Sequence, residues 1–150
     1  MIALACDHTG IELKHEIMKM LDEMGLTYKD FGNNDHDRND DYPLFGYRAA
    51  KAVASGECDR GILICGTGVG IGIAASKVKG IRVCTCSEPY SAKLSKMHNN
   101  SQILTMGARV VGTEMAKMIA REWLTAEFEG GRHQRRIDMI TDIEAGKEIE

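Results

Sequence analysis

Cys65 stands out by its company. In ILICGTGVG, residues 62–70, it ends an apolar run and is followed by Gly66, Gly68 and Gly70 at alternate positions. Glycine admits backbone angles and close approaches that a Cβ forbids, so the pattern is that of a loop wrapped around something small. Where such a loop opens a helix, the free amides and the dipole favour negative charge, and a sulfur at its mouth can serve as a base. Three other groups share the polar chemistry: Asp7-His8-Thr9 after the first apolar run, His98 in KMHNNSQ, and the arginines of RHQRR. A thiol, two histidines and an aspartate at loops beside one sheet point to proton transfer.

Each group has a plainer reading. The glycines also suit a tight strand-to-helix turn. A strand-ending cysteine is often a small buried hydrophobe, the expected fate of Cys6, Cys84 and Cys86. His98 suits a helix C-terminus and RHQRR a solvated basic cap. Sharper rivals fail on register. Gly70, Gly72 and Ala75 fit GxGxxA, but the strand ends at Cys65, so that fingerprint would begin inside the helix. No GK[ST] follows for a phosphate loop of the Walker type, and Ile71 stands where a cysteine phosphatase needs arginine. Asp35, Asp37 and Asn39 have calcium-loop spacing, yet Asp40 and Gly46 break the match, leaving a solvated acidic loop as the expectation.

The elements that must position these groups are legible from periodicity. Short apolar runs predict strands at residues 1–6, 26–31, 60–65, 81–86 and 102–106. Between them, the stripe Ile11, Leu13, Ile17, Met20, Leu21, Met24 predicts a helix closed by Gly25. Further helices are expected at residues 44–55, from the glycine loop through Ala74, Ala75 and Lys77, at 88–97, and at 113–128 with Met115, Met118, Ile119 and Trp123 inward. The basic GGRHQRR leads into a final helix or arm within residues 130–150. Alternating strands and helices predict a single-domain, three-layer α/β/α fold on a five-stranded parallel sheet. In such sheets ligands bind at the carboxyl ends of the strands, where Asp7-His8-Thr9 and Cys65-Gly66-Thr67 fall.

Composition fits one soluble globular domain: 150 residues, 43% hydrophobic, 27% charged. A net charge of -3 gives no basic field for nucleic acid. No apolar stretch approaches a membrane span, and the start MIALACDHTG lacks a basic leader and cleavage site, so no membrane partner and a cytoplasmic location are expected. The five cysteines include no CxxC pair, against both a disulfide framework and a zinc cage.

ACDHTG, ILICGTGVGIGIAASK, SKMHNN, MGARVVG and GGRHQRR, in this order along nearly the whole chain, closely resemble the type B ribose-5-phosphate isomerases, the ribose/galactose isomerase family. The resemblance implies a Rossmann-like fold, a homodimer or dimer of dimers with active sites shared between subunits, no metal and no cofactor, and interconversion of ribose 5-phosphate with ribulose 5-phosphate. By position it implies that Cys65 is the base moving a proton between C2 and C1, that His98 opens the furanose ring, and that Thr67 assists. Asp7, His8 and Asn99 would contact substrate. Gly66, Gly68, Val69 and Gly70 would form the anion-binding loop, with Arg109, Arg132 and Arg136 around the phosphate and Tyr42 bordering the site. Some members use a glutamate at the place of Ile71, so this chain falls in the cysteine branch. A hexose 6-phosphate isomerase of the galactose or allose type is the alternative within the fold, and a nucleotide-binding module the alternative outside it.

Overall fold

A computed structural model describes residues 1–36 and 40–150. Its five strands are β1 (Ile2–Cys6), β2 (Tyr28–Asp30), β3 (Arg60–Cys65), β4 (Val83–Thr85) and β5 (Ile103–Gly107). All pair in parallel in the order β2-β1-β3-β5-β4. The helices are α1 (Ile11–Glu23), α2 (Tyr42–Ala54), α3 (Val69–Ser76), α4 (Pro89–Asn99), α5 (Thr113–Thr125) and α6 (Arg132–Glu144). A 3-10 turn, His8–Gly10, precedes α1. The predicted three-layer α/β/α class is the observed one.

β1, β3 and β5 are buried along almost their whole length because helices cover both faces. Alternate residues divide the core. Ile2, Leu4, Ile62, Ile64, Leu104 and Met106 meet α1 and α5 through Ile17, Leu21, Ile119 and Trp123. Ala3, Ala5, Leu63, Cys65 and Ile103 meet α2 and α3 through Ala49, Val53, Ile71 and Ala75. The small residues of α2 let it lie close: a Cβ on Gly46 would come within 2.9 Å of the Ile71 carbonyl oxygen.

Three expectations need correction, and one buried residue was not foreseen. β2 and β4 are shorter than predicted: residues 28–30 and 83–85 pair in register with a neighbouring strand, and beyond them contact falls to single hydrogen bonds such as Phe31 N to the Leu4 carbonyl and Cys86 N to the Thr105 carbonyl. Met115 and Met118 face outward; the buried stripe of α5 is Ala116, Ile119, Ala120, Trp123 and Leu124, which keeps helical spacing with two alanines in place of two methionines. RHQRR does not lead into the last helix but forms its first turns; α6 buries His133 and Ile137, and His133 stacks on His98 of α4. Lys14, inside the first apolar stripe, is fully buried: its Nζ donates to Asp30 Oδ1 at 2.8 Å, the Asn33 carbonyl at 2.8 Å and Asn34 Oδ1 at 2.9 Å.

Strand order reverses its direction of growth between β1 and β3. The chain leaves β1 through α1 on one face and leaves β3 through α3 on the other, so the two loops part and open a crevice at the carboxyl edge.

Candidate active site

That crevice holds Asp7, His8 and Thr9 on one side and Cys65 to Gly70 on the other. Asp7 folds onto its own loop, its Oδ1 accepting from Thr9 N at 2.9 Å and Thr9 Oγ1 at 2.5 Å. His8 is aimed by a residue assigned above to solvent. Its backbone N donates to Asp40 Oδ2 at 2.7 Å and its Nδ1 lies 2.7 Å from Asp40 Oδ1. Asn33 Nδ2 donates to the same carboxylate at 2.9 Å. Burial would raise the Asp40 pKa, but these hydrogen bonds outweigh it and hold the carboxyl below its ordinary value. An ionised Asp40 keeps the proton on Nδ1 and leaves Nε2 free to accept one. The acidic loop is therefore not wholly solvated; Asp37 and Asn39 of the calcium-like pattern lie outside the described residues.

Cys65 is buried, and its Sγ accepts a hydrogen bond from Gly68 N at 3.2 Å. Gly68 caps α3 with φ 79°, a left-handed conformation. A Cβ there would lie 2.7 Å from the Met106 carbonyl carbon, and one on Gly70 would lie 2.7 Å from the Tyr42 ring. The loop is thus pressed against β5 on one side and Tyr42 on the other, and Tyr42 does border the loop. Thr105 Oγ1, bonded to Thr85 Oγ1 at 2.8 Å, donates to the Gly68 carbonyl at 2.8 Å. Thr67 Oγ1 accepts from Val69 N at 3.2 Å, which leaves its own proton for another acceptor. Arg109 N donates to the Gly66 carbonyl at 3.0 Å, bringing that arginine over the loop. His8, Thr9, His36 and Arg109 line a cavity of about 360 Å³.

The remaining predicted residues are elsewhere. α4 runs back across the sheet, so His98 and Asn99 arrive at the amino edge. There Arg82, just before β4, donates from Nε to the Asn99 carbonyl at 2.8 Å and from Nη2 to the Asn100 carbonyl at 3.1 Å. Glu129 N donates to the Met97 carbonyl at 3.0 Å and thereby sets the start of α6, with Arg132 and Arg136, beside His98. The His98 and His133 rings stack at 4.2 Å. From the Gly61–Ile103 pair to the Cys65–Gly107 pair the register advances four residues, about 13 Å of packed sheet at ~3.3 Å per residue. The groups expected beside one sheet thus part between its two edges: one chain carries Asp7, His8, Cys65, Thr67 and Arg109 at one end and His98, Asn99, Arg132 and Arg136 at the other.

Two groups went unread. Asp40 carried only the signal of an acid in a loop rich in acids. Cys84, expected to be inert, is half-buried and accepts from Ser95 Oγ at 3.1 Å. The neighbouring Cys86 thiol first, then the Ser101 and Ser95 hydroxyls, outweigh burial and lower its pKa, while Cys86 is pushed upward.

The sequence profile described as Ribose/Galactose Isomerase matches residues 2–140. This chain belongs to the ribose/galactose isomerase family. It is 57% identical to ribose-5-phosphate isomerase B of Escherichia coli (strain K12) over 95% of both chains. It is 43% identical to D-erythrulose-4-phosphate isomerase of Pectobacterium atrosepticum over 93% of this chain and 91% of that one. Among solved structures, ribose-5-phosphate isomerase B of Clostridium thermocellum superposes with TM-score 0.94 at 50% identity, covering 97% of each chain. The Mycoplasma genitalium enzyme with bound ribulose-5-phosphate superposes with TM-score 0.91 at 43% identity, covering 96% of this chain and 95% of that one.

Proposed function

We propose that this protein is an aldose-ketose isomerase interconverting ribose 5-phosphate and ribulose 5-phosphate, with Cys65 as the carbon base. The observation that carries the reading is a thiol held by the amide of Gly68, the N-cap of α3, next to Gly66 with Arg109 over it, in a chain 57% identical to an enzyme of that name.

Ring opening moves the proton of the C1 hydroxyl to the ring oxygen, a transfer suited to His98. In the open sugar, Cys65 takes the C2 proton as thiolate and returns it to C1, while a hydroxyl proton passes between O2 and O1. Negative charge develops on the enediolate oxygen, where the amides of the loop not already engaged by Cys65 and Thr67, those of residues 66, 67 and 70, and the Thr67 hydroxyl can donate. Such donors contribute roughly 2.7–4 kcal/mol each, and a placed proton-transfer group about 10²–10⁴ in rate. Arginine forks hold the phosphate dianion away from the reacting carbons.

A single chain cannot do this, because its two sets of groups lie at opposite ends of the sheet. We propose a homodimer in which the amino edge of one copy, with His98, Asn99, Arg132 and Arg136, closes the carboxyl edge of the other, α6 serving as the arm. The outward Val69, Ile73, Ile140 and Ile143 supply apolar surface for such a contact.

Substrate length is the open choice within the family, and the relative named for erythrulose 4-phosphate favours one competing reading, a four-carbon substrate. Parallel assays with tetrose, pentose and hexose phosphates decide it. The expected order has the pentose first by kcat/KM; a tetrulose or hexose phosphate turned over faster would overturn the assignment.

A further inference from the structure

We propose that His98, Glu129 and His133 form a binding site for one divalent transition-metal ion of the zinc class, and that an ion bound there inhibits the enzyme. The inhibitory half rests on the reading of His98 as the ring-opening group.

One ligand atom from each of the three residues can be chosen so that all lie within 4.8 Å of one another. Tetrahedral zinc with bonds of ~2.0–2.2 Å spaces its ligands at about 3.4 Å, so closure takes roughly an ångström of movement. His133 is the fixed member. Its side chain is only 6% exposed, and its buried Nε2 has no hydrogen-bond partner among the described residues, although Glu129 Oε2 stands 3.3 Å away. A buried polar nitrogen left unsatisfied is costly, and a metal bond would satisfy it. The carboxylate of Glu129, one helical turn before His133, also lies 3.9 Å from His98 Nε2.

His98 is the movable member. The two imidazole planes are within 9° of parallel, so their in-plane lone pairs do not converge, and ligation must turn one ring out of the stack. His98, in the last turn of α4 and 35% exposed, can turn; His133 cannot. Two imidazoles and one carboxylate suit zinc, cobalt or nickel rather than magnesium or calcium, and three protein ligands leave a position for water. Arg132 and Arg136 oppose a cation here and Glu129 favours it. The balance describes a regulatory or inhibitory ion, not a resident one.

The test titrates cobalt chloride into the full-length, reduced, metal-free protein. The expected spectrum has d–d bands saturating at one ion per chain without a sulfur-to-cobalt charge-transfer band. Glu129→Gln and His133→Asn should each weaken binding roughly tenfold or more. If His133→Asn does not fold, Glu129→Gln on its exposed side chain carries the test. A sulfur band, or binding indifferent to the variants, would overturn the site. Zinc should likewise slow isomerisation of ribose 5-phosphate, with recovery on chelation. Cobalt held by all three residues with undiminished turnover would keep the site and overturn the role of His98. An active isomerase that takes cobalt only on sulfur would keep the reaction and overturn the site.

Discussion

At the residue scale the proposed chemistry converges on one sulfur held by one amide. Cys65→Ala should lower kcat in both directions by roughly 10²–10⁴ or more with little change in binding of the sugar phosphate, measured by steady-state kinetics and calorimetry. His98→Asn should cost more with cyclic ribose 5-phosphate than with open ribulose 5-phosphate. Alkylation is best read in a Cys84→Ser background, because Cys84, half-buried and with its pKa lowered by neighbouring hydrogen-bond donors, is a second thiol the reagent can reach. The buried His133 gives a pH prediction. Burial first, then the charges of His98 and Arg132, lowers its pKa below the usual 6.5. The unfolded chain therefore binds a proton that the folded chain refuses, and stability should fall as pH drops through 6.5, a slope that His133→Asn flattens in thermal melts. Cys65 and His8 were legible because glycine spacing and position at a strand end mark them. Asp40 was not, since only the fold brings it to His8.

At the element scale the sequence shows β3, α1 and the opening of α3 nearly as they are, because apolar period and glycine placement agree there. β2 and β4 read too long, since an apolar residue flanking a strand looks like one inside it. Lys14 was hidden because a lysine in an apolar stripe carries no sign of its three acceptors. Lys14→Met removes the buried cation that pairs with Asp30 and should destabilise the fold by about 3 kcal/mol in urea titration. Gly68→Ala places a side chain at φ 79° against Met106. It should cost at least about 1–2 kcal/mol, and kcat should fall further than stability explains because the loop that seats Cys65 moves.

At the scale of the whole molecule, sequence order alone set the two histidines, the thiol and the arginines beside one sheet without saying at which edge. Helix direction decides it: α4 returns antiparallel to the strands and delivers His98 to the amino edge, out of reach of Cys65 in the same chain. The central proposal is that one site takes its thiol from one copy and its imidazole from the other. The most direct test mixes two inactive chains, Cys65→Ala and His98→Asn, co-expressed with different tags, and measures ribose 5-phosphate turnover of the mixture. Random pairing makes half the dimers hybrid, each with one intact site, so about a quarter of wild-type activity should return. A mixture as inactive as either parent, although hybrid dimers are recovered on both tags, would contradict the account.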